Sequence, residues 1–243
     1  MLSKNEVKDI QSLRHKKQRD EGKVFIAEGP KIVSELLGLM PEGVEAIYGL
    51  EEWVQEHEGL LRHLPVRTIS AAELVRISQL QTPHAVLGVF RQLPVHAPDP
   101  QKQFCLYLDA IQDPGNFGTI IRIADWFGIR DIVCSEGCAD RYNPKVVQST
   151  MASIARVNVF ADADGRWLYR QQAPVYAATL HGRPLYELPK AANGVLIIGN
   201  ESKGIHPDLQ QLASQHVTIP RKGEAESLNA AVATGIILSH LLG

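Results

Sequence analysis

Three apolar runs in the second half of this 243-residue chain each lead into a loop of small and polar residues. Phe104-Cys105-Leu106-Tyr107-Leu108 leads to Asn116-Phe117-Gly118. Val195-Leu196-Ile197-Ile198 leads to Gly199-Asn200-Glu201-Ser202-Lys203-Gly204, and the run ending at Ile219-Pro220 leads to Ser227-Leu228-Asn229. Near-continuous apolar runs are expected of strands covered on both faces. Helical stretches lie between them, so the pattern is βαβ and implies a parallel sheet flanked by helices. Open α/β sheets bind ligands beyond the carboxyl ends of their strands. Three such loops therefore imply one composite site.

The composition sets the outer limits. With 44% hydrophobic and 21% charged residues the chain is an ordinary globular protein rather than a disordered one. No apolar run approaches the ~18–20 residues that a membrane span needs, and the polar N-terminus has no signal-peptide core. Cys105, Cys134 and Cys138 are an odd number without disulfide-framework spacing, which points to a reducing cytoplasm. Cys134 and Cys138 read as buried structural thiols, because no second Cys/His pair lies near them to complete a metal site. The histidines are scattered without i, i+4 pairs, so no metal is expected. A net charge of −2 excludes a wholly basic coat but not a local basic footprint. Arg14-His15-Lys16-Lys17-Gln18-Arg19 is the candidate for one, the alternative being a solvated helix face.

Residues 1–93 read as a compact α/β unit, opening with a helix over 4–19. Leu93-Pro94-Val95-His96-Ala97-Pro98-Asp99-Pro100 has no periodicity and reads as an extended linker over 94–102. A second α/β unit, 103–243, closes with a helix from about 227 to 242.

The loops carry the chemistry. Pro114, Gly115 and Gly118 allow a sharp turn, Asn116 can cap the helix that follows, and free N–H groups at such an end attract anions. Arg122 sits among Ile120, Ile121, Ile123 and Ala124, and either pairs with a carboxylate or faces a ligand. Neither a GxGxxG fingerprint nor a GxxxxGK[ST] loop is present, which leaves nicotinamide dinucleotides and nucleoside triphosphates with little support. Ser227 is a plausible N-cap for the last helix.

Taken together, the three segments resemble the three motifs of the SpoU/TrmH family of RNA ribose 2′-O-methyltransferases in the SPOUT superfamily. Asn116-Phe117-Gly118 through Arg122 and Ala124 is similar to the first, Ile198 through Gly204 to the second, and Ile219-Pro220 with Ser227 through Ala233 to the third. Residues 1–93 are similar to an RNA substrate-binding domain with an L30e-like fold, mainly through Phe25-Ile26-Ala27-Glu28-Gly29 and Ala85-Val86-Leu87-Gly88-Val89. One departure falls after Ser149-Thr150-Met151, where the family usually has glycine and this chain has Ala152.

The resemblance implies a parallel sheet threaded into a trefoil knot, S-adenosylmethionine as cofactor, a homodimer, and RNA as substrate. Ribosomal RNA is preferred, and transfer RNA is the alternative. A catalytically silent RNA binder on the same fold is the competing class. The resemblance also implies roles for residues. Arg122, Asn116, Glu201, Ser227 and Asn229 would be catalytic, with Glu201 holding an arginine, either Arg122 or one from the partner subunit. Gly199, Asn200, Ile219, Pro220, Leu228 and Ala233 would hold the cofactor. Arg14, Lys16, Lys17, Arg19, Asn143 and Lys145 would meet the RNA.

Overall fold

A computed structural model describes residues 1–243. In chain order the first elements are α1 (Lys4–Ser12), α2 (Lys16–Gly22), β1 (Val24–Glu28), α3 (Pro30–Leu39), β2 (Val44–Gly49), α4 (Glu51–Glu56), α5 (Glu58–Leu61), β3 (Val66–Thr68), α6 (Ala71–Ile77) and β4 (Val86–Arg91). They are followed by β5 (Phe104–Asp109), α7 (Pro114–Trp126), β6 (Asp131–Cys134), α8 (Pro144–Thr150), β7 (Asn158–Ala161), β8 (Val175–Pro184), β9 (Gly194–Gly199), α9 (Pro207–Gln211), β10 (Gln215–Thr218) and α10 (Ala230–Leu241). The chain divides into two compact units. Met1–Pro94 with Asp140–Ala155 forms the first, and Val95–Ala139 with Arg156–Gly243 forms the second.

The first unit is built on a four-stranded sheet of order β1-β4-β2-β3, antiparallel except for the β2–β3 pair. Side chains alternate across its faces. Phe25, Ala27, Ile47 and Phe90 join a core with Val33, Leu36 and Trp53, while Ile26, Leu87 and Val89 join Val7, Ile10 and Ile77 on the other side. Apolar residues on both faces need a cover on both faces, and the helices supply it.

Two differences from the sequence reading have physical causes. The single helix expected over 4–19 is two helices, broken at Leu13–His15, where His15 is extended. The break leaves the carbonyls of Leu13 and Arg14 outside a helical ladder, and the Arg19 guanidinium takes both. The second difference is that Asp140–Ala155, read as part of the methyltransferase domain, folds with the first unit. Tyr142 stacks on Phe25 with ring centroids 4.9 Å apart, and Val147, Ala152 and Ile154 enter the same core. The Leu93 N–H donates to the Tyr142 hydroxyl at 2.7 Å. Ala152 has φ +70° and a buried methyl. That left-handed backbone is the conformation glycine adopts without penalty, which accounts for the family's preference at this position.

The second unit is a six-stranded sheet of order β10-β8-β9-β5-β6-β7, parallel throughout. The central strand β5 is buried along its whole length, with Leu106 opposite Ile132 on one side and Leu196 on the other. From β5 the chain builds outward through β6 and β7, then crosses to β8 and β9 on the opposite side. The switch of direction therefore lies between β5 and β9, and a crevice opens there at the carboxyl ends. After β9 the chain runs through α9 to β10 at the far edge. It then returns so that α10 packs on α7 and β9. This return crosses strands already laid down, which is the route that the trefoil knot implied by the resemblance would take. General rules of connection would have argued against it.

Candidate active site

The site begins where β5 ends. Ala110 has φ +53°, turning the chain out of the sheet. Its N–H donates to Ser135 Oγ at 2.9 Å, and its carbonyl accepts from Asn200 Nδ2 at 2.8 Å. Beside it Asp109 accepts from the His206 N–H at 2.7 Å. The end of β5 thus anchors both ends of the loop that follows β9. Sequence reasoning passed over Asp109 and His206. The available signal was a carboxylate closing an otherwise apolar run, a position buried in the sheet and in need of a donor.

The loop after β9 is a tight one. Asn200 Oδ1 accepts from the N–H groups of Ser202 and Lys203 at 2.9 and 3.1 Å, and the backbones of Asn200 and Gly204 exchange hydrogen bonds. A Cβ on Gly199 would lie 2.4 Å from the Gly204 carbonyl carbon, so only glycine permits this closure. Asn200 is consumed in shaping the turn, and Glu201 stands at its exposed tip.

Both helices at the site are capped differently from the sequence reading. Asp113, not Asn116, is the N-cap of α7, and its carboxylate accepts the Asn116 N–H at 2.8 Å. The Asn116 side chain is therefore released. Asn229, not Ser227, caps α10, its Oδ1 accepting from Ala231 and Val232 N–H at 3.0 and 3.2 Å. The remaining amide groups link the three motifs. Asn229 Nδ2 donates to Asn116 Oδ1 at 2.8 Å, and Asn116 Nδ2 donates to Glu201 Oε1 at 2.6 Å. Each amide is oriented by this chain of bonds, since Glu201 accepts only and the backbone N–H groups of α10 donate only.

Glu201 was expected to hold an arginine, either Arg122 or one from a partner subunit. Within this chain it accepts from Asn116, and Arg122 is exposed on α7. Alongside the three linked residues lies an open groove of about 390 Å³ between α7 and α10, bordered by Asn116, Thr119, Ile123, Asn229, Val232 and Gly235. Residues 221–229 are exposed and outside any helix or strand. Ile219 is half-buried, Pro220 and Leu228 are exposed, and Ala233 lies half-buried on α10. These features fit S-adenosylmethionine in two ways. The Gly199 turn admits no side chain, and the backbone of 221–229 is open to a ligand beside the apolar Leu228.

Among the residues expected to meet RNA, Arg14, Lys16, Lys17 and Lys145 are exposed, and Asn143 caps α8 by accepting the Lys145 N–H at 2.9 Å. Arg19 is the exception and the assignment is corrected. Its side chain is 2% exposed and paired with Asp140, so it has no charge to offer a phosphate. Cys134 is buried and Cys138 half-buried. A hydrogen bond from Cys134 holds the Cys138 thiol below its usual range.

A parallel sheet with this strand order, returning last helix and set of linked motif residues is that of a SPOUT-type methyltransferase. The family model described as "SpoU rRNA Methylase family" matches residues 103–239, and that of the "MRM3-like substrate binding domain" matches 4–88. The chain is 31% identical to 23S rRNA (guanosine(2553)-2′-O)-methyltransferase RlmP of Bacillus subtilis, over 98% of this chain and 96% of that one. It is 26% identical to the human mitochondrial rRNA methyltransferase 3, across 90% of this chain and 67% of the relative. Among solved structures it superposes on an AdoMet-bound rRNA methyltransferase from Sinorhizobium meliloti with a TM-score of 0.86 and 31% identity, over 99% and 96% of the two chains. The protein belongs to the SpoU methylase family.

Proposed function

We propose that this protein transfers a methyl group from S-adenosylmethionine to a ribose 2′-hydroxyl of ribosomal RNA, acting as a cytoplasmic homodimer. The observation that carries the reading is the bonded chain Asn229–Asn116–Glu201, which joins three segments distant in sequence, with Arg122 exposed on the same helix as Asn116. A binding module would have no need to spend three polar side chains on fixing one another. The full-length similarity to a 23S rRNA 2′-O-methyltransferase favours ribosomal over transfer RNA.

Gly199, Ile219, Pro220, Leu228 and Ala233, with the backbone of Asn200, would hold the cofactor, which would supply an electrophilic methyl on a sulfonium. The chain's own residues position the nucleophile. Asn116 is pinned from both sides and presents a fixed edge to the ribose. Ser227 and Asn229 line the same wall. Arg122 is not read as the general base, because a guanidinium is a poor one. Its planar fork instead clamps the phosphate next to the target ribose and stabilises negative charge developing on the 2′-oxygen. The hydroxyl proton would pass to that phosphate or to water.

The dimer is supported by Val232 and Ile236 on α10, which are 50% and 38% exposed along the apolar groove. A second copy covering that face would remove both from water, as closed two-fold assemblies do. Sedimentation equilibrium is the check. A concentration-independent monomer would remove the dimer from the reading.

The activity is tested by transfer of tritiated methyl from S-adenosylmethionine to size-fractionated RNA from a strain lacking this gene. Label in one large ribosomal species, lost with Arg122→Ala, is the expected result. Label confined to transfer RNA would reverse the substrate. No label with cofactor bound would favour a silent RNA binder.

A further inference from the structure

Arg19 is a long cation sealed inside the first unit. Its Nη1 donates to the carbonyls of Leu13 and Arg14 at 2.7 and 2.9 Å, and its Nη2 pairs with Asp140, whose side chain is 18% exposed. One guanidinium therefore grips the turn between α1 and α2 and, at the same time, a residue 121 positions further along the chain. A buried ion pair is a poor route to stability, because desolvation offsets the Coulombic gain and an apolar pair would serve as well. A fixed register between two segments is what such a pair does provide.

Both of the segments so fixed carry exposed cations. Arg14, Lys16 and Lys17 lie on the α2 side, with Lys17 3.8 Å from Glu21. On the other side Arg141 lies over the Tyr142 ring at 4.5 Å, Asn143 caps α8, and Lys145 is exposed in its first turn. Outside the latch itself, residues 14–21 and 140–155 hold five cations against the carboxylates of Asp20 and Glu21. That surplus is notable in a chain whose net charge is −2.

We infer that the Arg19–Asp140 pair is a latch that assembles one phosphate-binding face from the Arg14–Lys17 turn and the Asn143–Lys145 segment, so that Arg19 positions RNA contacts without touching RNA. The inference rests on the proposed RNA methyltransferase activity and adds a segment from outside the matched substrate-binding region, 4–88. The cations on the face neutralise phosphates, and each phosphate contact contributes to the dependence of RNA affinity on salt.

The test uses the full chain and unmodified transcribed 23S rRNA. Lys16→Gln and Lys145→Gln lie on the surface and leave the fold intact. Each is expected to lower RNA affinity about threefold and to flatten the log–log salt slope by roughly 0.7 to 1. Asp140→Asn is expected to raise KM for RNA by a similar factor with kcat and cofactor Kd unchanged, and Asp140→Glu, which keeps the carboxylate, to lose less. Adding Lys145→Gln to Asp140→Asn should cost little more, because a segment already released has no contact left to lose. A merely structural pair would lower Tm while leaving KM and the salt slope of the folded protein at wild-type values, and that result would overturn the inference. So would wild-type affinity and slope in both Lys16→Gln and Lys145→Gln, which decides the matter even if Asp140→Asn does not fold. If the wild type binds the RNA with a steep salt slope but transfers no methyl, the activity fails and the latch is still judged by the binding measurements.

Discussion

The carboxyl edge of the parallel sheet and the basic turn of the first unit handle arginine in opposite ways. At the sheet edge, half-buried Asn116 and exposed Glu201 and Asn229 bond to one another, and Arg122, further along the same helix as Asn116, is left open. In the first unit Arg19 is enclosed by two carbonyls and a carboxylate, and the lysines around it are left open. Both arginines stand in segments that sequence reading marks as functional. Only the surrounding bonds separate a group free to meet a ligand from one that holds the scaffold. The number of partners already claimed, more than the charge itself, decides which of the two can act on a substrate.

The largest predicted effect breaks this comparison at its open end. Arg122→Ala should lower kcat by about 10³-fold, the scale of removing a preorganised donor from a developing oxyanion, with cofactor affinity unchanged. Arg122→Lys should recover little of it, because an ammonium cannot form the two-pronged contact. Near-full turnover in Arg122→Lys, measured with saturating RNA, would remove the clamp. At the enclosed end, Asp140→Ala leaves the Arg19 charge buried without its partner and should cost about 3 kcal/mol in urea unfolding. Lys16→Ala, a few residues away and exposed, should change stability by no more than about 0.5 kcal/mol. Equal small losses for both would mean that the pair is not a structural bond at all.

What the chain disclosed before folding follows the same division. The βαβ alternation, the three motif loops and the site at the carboxyl ends were legible because apolar runs and glycine positions report on the backbone directly. The caps were not. Asp113 and Asn116 both suit the start of α7, and Ser227 and Asn229 both suit α10. The choice depends on which residue closes the first hydrogen-bonded turn. That choice frees the Asn116 side chain and makes Asn229 do two jobs. The placement of Asp140–Ala155 was equally hidden, because Tyr142 and Val147 read as ordinary apolar residues until Phe25 lies under them. Arg19 looked like its neighbours for the same reason, since its partner is distant in sequence.

The Asn116–Asn229 link sharpens the comparison at the next level of effect. If the two amides act through one another, Asn116→Ala and Asn229→Ala should each lower kcat, and the double variant should lose less than the sum. The expected coupling is about 1–2 kcal/mol, close to tenfold in rate. Strict additivity in a cycle read on kcat would show that the 2.8 Å bond carries no functional coupling.

The smallest effect concerns a second buried charge, one held by neutral donors instead of an ion pair. Glu28 ends β1 at 3% exposure and accepts from Ser78 Oγ and from the Gln79 N–H. Burial raises its pKa, and the two hydrogen bonds oppose that rise without cancelling it. A carboxyl whose folded pKa lies above its unfolded one binds more protons in the native state, so stability falls as pH climbs from the ordinary carboxylate value through the folded value. Glu28→Gln removes the charge and keeps an acceptor, so it should raise Tm at pH 8 and match the wild type near pH 4. Glu73 provides the opposite sign. The Ser70 N–H, together with that of Leu2 and the Ser70 hydroxyl, holds its pKa down to about 2. Glu73→Gln should therefore lower Tm at pH 7, with the difference closing as pH falls towards 2. Parallel pH profiles for both variants would show that neither carboxylate owes its state to the partners seen here.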